Sequence, residues 1–155
     1  MAERQAFIDR VKGAERECNV ITAAIDHYQQ AVEGKRVVLP FQTSPRDLVK
    51  AIENVESTYL IRMWAEFETA LRSYRRKLTG IADDRISAID LVNWTAGIRQ
   101  GRAIAATTRD EVHEAREYRN CLVHERDDMD PPEPIAISSA RNRLNTLLHC
   151  LPIYW

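Results

Sequence analysis

Phe7, Val11, Ala14, Cys18, Ile21, Ile25, Tyr28 and Val32 follow one another at alternating spacings of four and three residues. Such a pattern keeps apolar side chains on one narrow stripe of a helix, whereas a strand would require alternation at every second residue. It predicts an uninterrupted helix from about Glu3 to Glu33, with Gly34 just past its end. A seam this narrow and this long is buried only against another long helix, which constrains the chain to a helical bundle. His27 lies beside the seam and reads as structural.

The second long helix follows directly. Lys35–Thr43, with Pro40, reads as a short connection, and Ser44-Pro45-Arg46-Asp47 supplies a serine N-cap, a proline in the first helical position and an acid at N3. The helix runs to Leu78 and ends at Gly80. Leu48, Ile52, Val55 and Tyr59 form its first stripe, widened by Leu60, Met63, Trp64, Phe67, Leu71, Tyr74 and Leu78. A third helix, capped by Asp83 or Asp84, carries Ile86, Ile89, Leu91 and Val92 and stops near Gly97. After a loop holding Arg99 and Arg102, the pattern Thr108-Arg109-Asp110-Glu111 has the form of a capping box and predicts the start of a fourth helix. The run from Arg126 to Pro134, rich in acids and proline, ends it. Its aspartates lack the spacing of a calcium loop. Ser138 is the expected cap of a last helix with Ala140, Leu144, Leu147, Leu148 and Leu151 facing inward. The expected fold is all-α, an up-and-down bundle of four to five helices in a single domain, residues 1–155.

Composition narrows the function classes. Hydrophobic residues at 45% and charged residues at 29% match a globular chain rather than a disordered one. A formal net charge of -1 supplies no global field for a long polyanion, so any nucleic acid has to be gripped locally. Cys18, Cys121 and Cys150 are odd in number and far apart, which reads as buried thiols in a reducing cytoplasm. Neither a signal peptide nor an apolar run of spanning length is present, so a cytoplasmic protein with no membrane partner is expected.

The densest group of reactive polar side chains is EVHEAREYRNCLVHE, residues 111–125. In a helix, Val112, Ala115, Arg119 and Leu122 form its seam, so a guanidinium occupies a slot where an apolar residue would pack. A buried unpaired charge costs several kcal/mol, so this arginine requires a partner or a ligand. Two readings stand: a salt-bridged arginine at a helix end with His124 in the last turn, or an anion site. On the second long helix, Arg62 with Glu66 and Glu68 with Arg72 have the spacing of surface ion pairs. Glu68 has an alternative place facing the seam arginine.

Arg119-Asn120-Cys121-Leu122-Val123-His124 resembles the R-x4-6-H motif of the HEPN superfamily, all-helical domains that include metal-independent endoribonucleases of toxin and antiphage systems. The segments from Tyr59 to Arg72 and from Arg143 to Pro152 are also similar to the second and last helices of such chains. The resemblance implies attack by the ribose 2′-hydroxyl on the adjacent phosphodiester, with neither metal nor cofactor. It assigns acid/base work to His124, phosphate stabilisation to Arg119 and orientation to Asn120, with Glu68 and Arg116 in support. It also implies a two-fold homodimer whose motif helices share one cleft, an RNA substrate, and an antitoxin or regulatory partner protein. Arg126 stands where HEPN toxins regulated by adenylylation carry a tyrosine, so that regulation is not implied. The competing expectations are a catalytically silent dimeric module binding a nucleotide or partner protein, and a plain helical adaptor.

Overall fold

The computed structural model describes residues 3–81, 85–97, 104–124 and 132–155. Five helices are described: α1 (Arg4–Glu33), α2 (Pro45–Thr79), α3 (Ala88–Gly97), α4 (Ala106–Val123) and α5 (Ile137–Cys150). The described residues contain only one isolated β-bridge, between Glu3 and Tyr154. The fold is therefore the expected all-α bundle with long first and second helices. No helix of the described residues is long and apolar enough to cross a membrane.

Phe7, Ile8, Val11, Ala14 and Cys18 of α1 meet Leu60, Met63, Trp64, Phe67, Leu71 and Tyr74 of α2, and all of them are buried. Leu91 and Val92, Val112 and Ala115, and Leu144, Leu147 and Leu148 extend the same cluster through α3, α4 and α5. Each large side chain so buried contributes roughly 1.5–3 kcal/mol relative to exposure. The second half of the α1 seam and the first half of the α2 seam behave differently. Ile25, Tyr28, Val32, Leu48, Ile52 and Val55 are only half-buried, and Ile21 is exposed, as is Leu78 at the far end of α2. The periodicity correctly places them on one face, but the other helices do not reach far enough to cover that face. The three cysteines are free thiols; Cys18 is buried and Cys121 and Cys150 are half-buried.

The chain ends are fastened together. Arg4 donates from its guanidinium to the carbonyls of His149 (2.9 Å) and Leu151 (2.7 Å). Trp155 stacks on Phe7 with ring centroids 5.6 Å apart and donates from Nε1 to Ser73 Oγ.

Several helix ends differ from expectation. Ser44 and Asp47 do form a reciprocal capping box on α2. Gly34 follows α1 with an ordinary φ of -76°, and the left-handed residue is Lys35 (φ 53°). A Cβ at 34 would sit 3.2 Å from the Gln30 carbonyl oxygen, a tight contact that glycine avoids. The cap of α3 is Ser87, whose hydroxyl accepts from the Asp90 N–H and donates to the Asp90 carboxylate; Asp83 and Asp84 lie outside the described residues. Thr108 does not cap α4, because the helix already begins at Ala106, with Ala105 at the N-cap position. Alanines at 105 and 106 continue into the helix without a side-chain competitor for the backbone. Ser138 lies inside α5, which starts at Ile137, and the N–H of Ile137 donates to the Glu56 carboxylate of α2.

Candidate functional site

The helix that carries the motif, α4, is set by Val112 and Ala115, both buried against the bundle. Its last two turns are less covered: Tyr118, Arg119, Asn120, Cys121 and Leu122 are half-buried. Arg119 follows the seam, as the spacing predicts. Its Nη1 donates to the Asn120 side-chain oxygen at 3.0 Å. Its Nε is buried and has no acceptor, and Arg119 forms no ion pair among the described residues.

His124 is the C-cap of α4, in an extended conformation (φ -122°, ψ 116°), and its backbone N–H donates to the Asn120 carbonyl. Its side chain is exposed and has no hydrogen-bond partner among the described residues. One chain joins Arg119 to Asn120 and presents His124 on the extended backbone that ends the helix. Arg116 is the most enclosed cation of the stretch, with its side chain 12% exposed and its partner Glu117 64% exposed at 2.9 Å. Like that of Arg119, its Nε is buried with no acceptor.

Glu68 is not part of this group. Its carboxylate accepts from Trp64 Nε1 at 3.1 Å and from Arg72 at 2.7 Å, both on its own helix. A local indole and a local guanidinium at i±4 saturate it, so the surface-pair reading is the one observed. The other expected pair is replaced: Arg62 binds Glu17 of α1, and Glu66 lies 3.9 Å from Arg10 of α1. Facing helices offer those side chains carboxylate and guanidinium partners that a single-helix reading does not see. Arg99, Arg102 and residues 125–131 lie outside the described residues.

His113, on the polar stripe of α4 with Arg116 and Asn120, has a structural partner. Its Nε2 lies 2.9 Å from the side-chain oxygen of Asn93, which ties α4 to α3. Burial pushes the His113 pKa below its ordinary value, and the Arg116 and Arg109 guanidiniums push it the same way against Asp110 and Glu117. Both guanidiniums also hold a neighbouring carboxylate, Arg109 that of Asp110 and Arg116 that of Glu117.

No family model, curated protein or solved structure matches this chain.

The opposite flank of α4 has the reverse character. A cavity of about 510 Å³ opens between α4 and the start of α5, lined by Glu114, Glu117, Glu133, Ile135, Ser139 and Arg143 among others. Arg143 is tied to Glu114 at 2.7 Å, so the lining is acidic overall and unsuited to a phosphodiester. The described residues contain no group of three or more histidine, cysteine or acidic side chains placed to hold a metal ion. What the motif helix offers is a half-buried guanidinium, an amide bonded to it and a solvent-facing imidazole at the helix end.

Proposed function

We propose that this protein is a metal-independent endoribonuclease of the HEPN kind, of toxin or antiphage-defence type, working as a two-fold dimer. The observation that supports it is the seam guanidinium of Arg119, half-buried and paired with no carboxylate among the described residues. Arg141, also half-buried, is bonded to Glu15 at 2.8 Å, whereas Arg119 donates to the neutral Asn120 amide. Leaving a partly enclosed cation without a carboxylate costs stability unless an anionic ligand completes it.

A planar, permanently charged guanidinium matches phosphate oxygens and stabilises the charge that develops on them during displacement. An exposed imidazole has one nitrogen that accepts a proton and one that donates, which suits it to proton transfer. The 2′-hydroxyl loses its proton to a base and attacks phosphorus. The P–O5′ bond breaks, and the leaving 5′-oxygen takes a proton from an acid, giving a 2′,3′-cyclic phosphate and a 5′-hydroxyl. One imidazole does not reach both ends of that in-line displacement, so His124 from each of two chains divides the work. Asn120 orients the phosphate through the arginine it already holds, and Arg116 strengthens the local field. A dimer also gathers two copies of Arg119 and Arg116 in one cleft, which resolves the difficulty of a near-neutral chain binding RNA.

The second reading is a catalytically silent dimeric module that binds a nucleotide or a partner protein. No hydrogen bond orients the His124 ring among the described residues, which favours it. The two readings separate when purified protein is incubated with transfer RNA, ribosomal RNA and unstructured RNA in chelator. The nuclease reading expects cleavage to cyclic phosphate ends, a drop of about 10²–10³-fold for Arg119→Ala and 10²–10⁴-fold for His124→Ala, and unchanged rates for Glu68→Gln. Cleavage that persists in both alanine variants refutes it. Wild type that binds a nucleotide through Arg119 but cuts none of the RNAs supports the silent module.

A further inference from the structure

The two long helices extend beyond the rest of the bundle. Apart from Ala31, the buried residues of α1 stop at Cys18, and those of α2 begin at Leu60. The remainder of both helices forms an arm in which Ile25, Tyr28, Ile52 and Val55 are half-buried. At its tip, Val38 and Phe41 are 88% and 91% exposed, more than any other large hydrophobic side chain of the described residues.

Side chains this exposed contribute little to folding, yet the backbone beneath them is held in place. Lys35 (φ 53°) and Gln42 (φ 64°) both adopt the left-handed conformation, which non-glycine residues rarely occupy. The Arg36 and Val37 N–H groups donate to the Ala31 carbonyl, and Thr43 donates from both its N–H and its hydroxyl to the Pro40 carbonyl. The loop has a fixed convex shape that turns Val38 and Phe41 outward.

Charge decides what such a knob meets. Lys35, Arg36, Arg46 and Lys50 surround it, are exposed, and form no ion pair among the described residues. The one acid between residues 34 and 50 is Asp47, whose carboxylate is engaged by the Ser44 N–H and hydroxyl. Two such tips would repel each other, which disfavours a second copy as the occupant. Base stacking would use Phe41 and leave the aliphatic Val37 and Val38 unexplained.

We propose that the arm tip is an attachment loop for an anionic lipid surface. Val38 and Phe41 enter the boundary between headgroups and acyl chains, and the four cations lie among the lipid phosphates and carboxylates. This is contact from one side of a bilayer, and it rests on no part of the nuclease reading. The test is sedimentation of the whole protein with vesicles of phosphatidylcholine, alone or with about one-third phosphatidylserine. Binding is expected only on the anionic vesicles, with a loss of about tenfold or more in high salt. A similar loss is expected for the double variants Val38→Asp/Phe41→Asp and Lys35→Glu/Arg36→Glu, with thermal melting and RNA cleavage unchanged, since these side chains support neither core nor motif helix. Absence of binding at low salt overturns the proposal, as does equal binding to neutral vesicles or binding that survives both double variants. It is equally overturned if the tip variants leave vesicle binding intact and instead abolish binding of a single-stranded RNA oligomer or change the oligomeric state.

Discussion

The carboxylate of Glu56, in the middle of α2, accepts a 2.6 Å hydrogen bond from the backbone N–H of Ile137, the first residue of α5. A helix start needs acceptors for its unpaired N–H groups and favours negative charge there, and α5 obtains both from another helix. Replacing Glu56 with Ala is expected to lower stability by about 0.5–2 kcal/mol, with Glu56→Gln costing less because the acceptor remains. Urea titration of the three proteins checks the order, and an alanine variant as stable as wild type would show that the contact contributes nothing.

Arg119 separates stability from activity. Arg119→Met fills the seam with an unbranched apolar chain and removes a half-buried donor without an acceptor. Stability is expected to be unchanged or to rise by about 1 kcal/mol, while RNA cleavage falls as far as in Arg119→Ala. Loss of several kcal/mol in the methionine variant would instead make this arginine a structural residue.

His113 gives the fold a pH dependence of definite sign. Its pKa in the folded chain is held below the ordinary 6.5, chiefly by burial. The unfolded chain takes up its proton near 6.5 while the folded chain resists, so the unfolded state binds more protons as the pH falls. Stability contributed here is whole above pH 6.5, declines as the pH drops through it, and levels off below the folded pKa. His113→Gln, which can still meet Asn93, should flatten that part of the curve in denaturation followed between about pH 7.5 and 5. An imidazole titrating above its unfolded value in a proton resonance experiment would contradict the assignment.

Asn145 of α5 is buried at 5% exposure, with both amide atoms unpartnered among the described residues. Its amide remains desolvated without a return in hydrogen bonding, so Asn145→Leu is expected to raise stability by about 1–3 kcal/mol. Thermal melting checks this, and a destabilised leucine variant would mean that the site is too tight for the branched side chain. Nothing else in the structure explains an asparagine at this position.

Spacing made the helices legible because apolar periodicity reports on each helix by itself. It identified the seams of α1 and α2 and put Arg119 in line with Val112 and Ala115. The errors arose where a second element decides. Ser138 resembled a cap until Glu56 supplied one from eighty-one residues away in sequence. Glu68 resembled a partner for Arg119, but Trp64 and Arg72 stand closer at hand on the same helix. The contact of His113 with Asn93 was not legible, because Asn93 lies on a short helix whose orientation no local pattern reveals. The relation of Arg119 to His124 was only partly legible, since α4 ends at Val123 and the imidazole follows a backbone that has already turned out of the helix.

The stacking of Phe7 on Trp155 has a consequence for synthesis. The whole length of the described chain separates the two rings, so the first helix emerges from the ribosome with an uncovered aromatic and keeps it until residue 155 has been made. The pocket for Phe7 is closed only once the segment after α5 has been made. A chain that has not reached Trp155 therefore has an unfinished core, and its first helix stays open to aggregation until then.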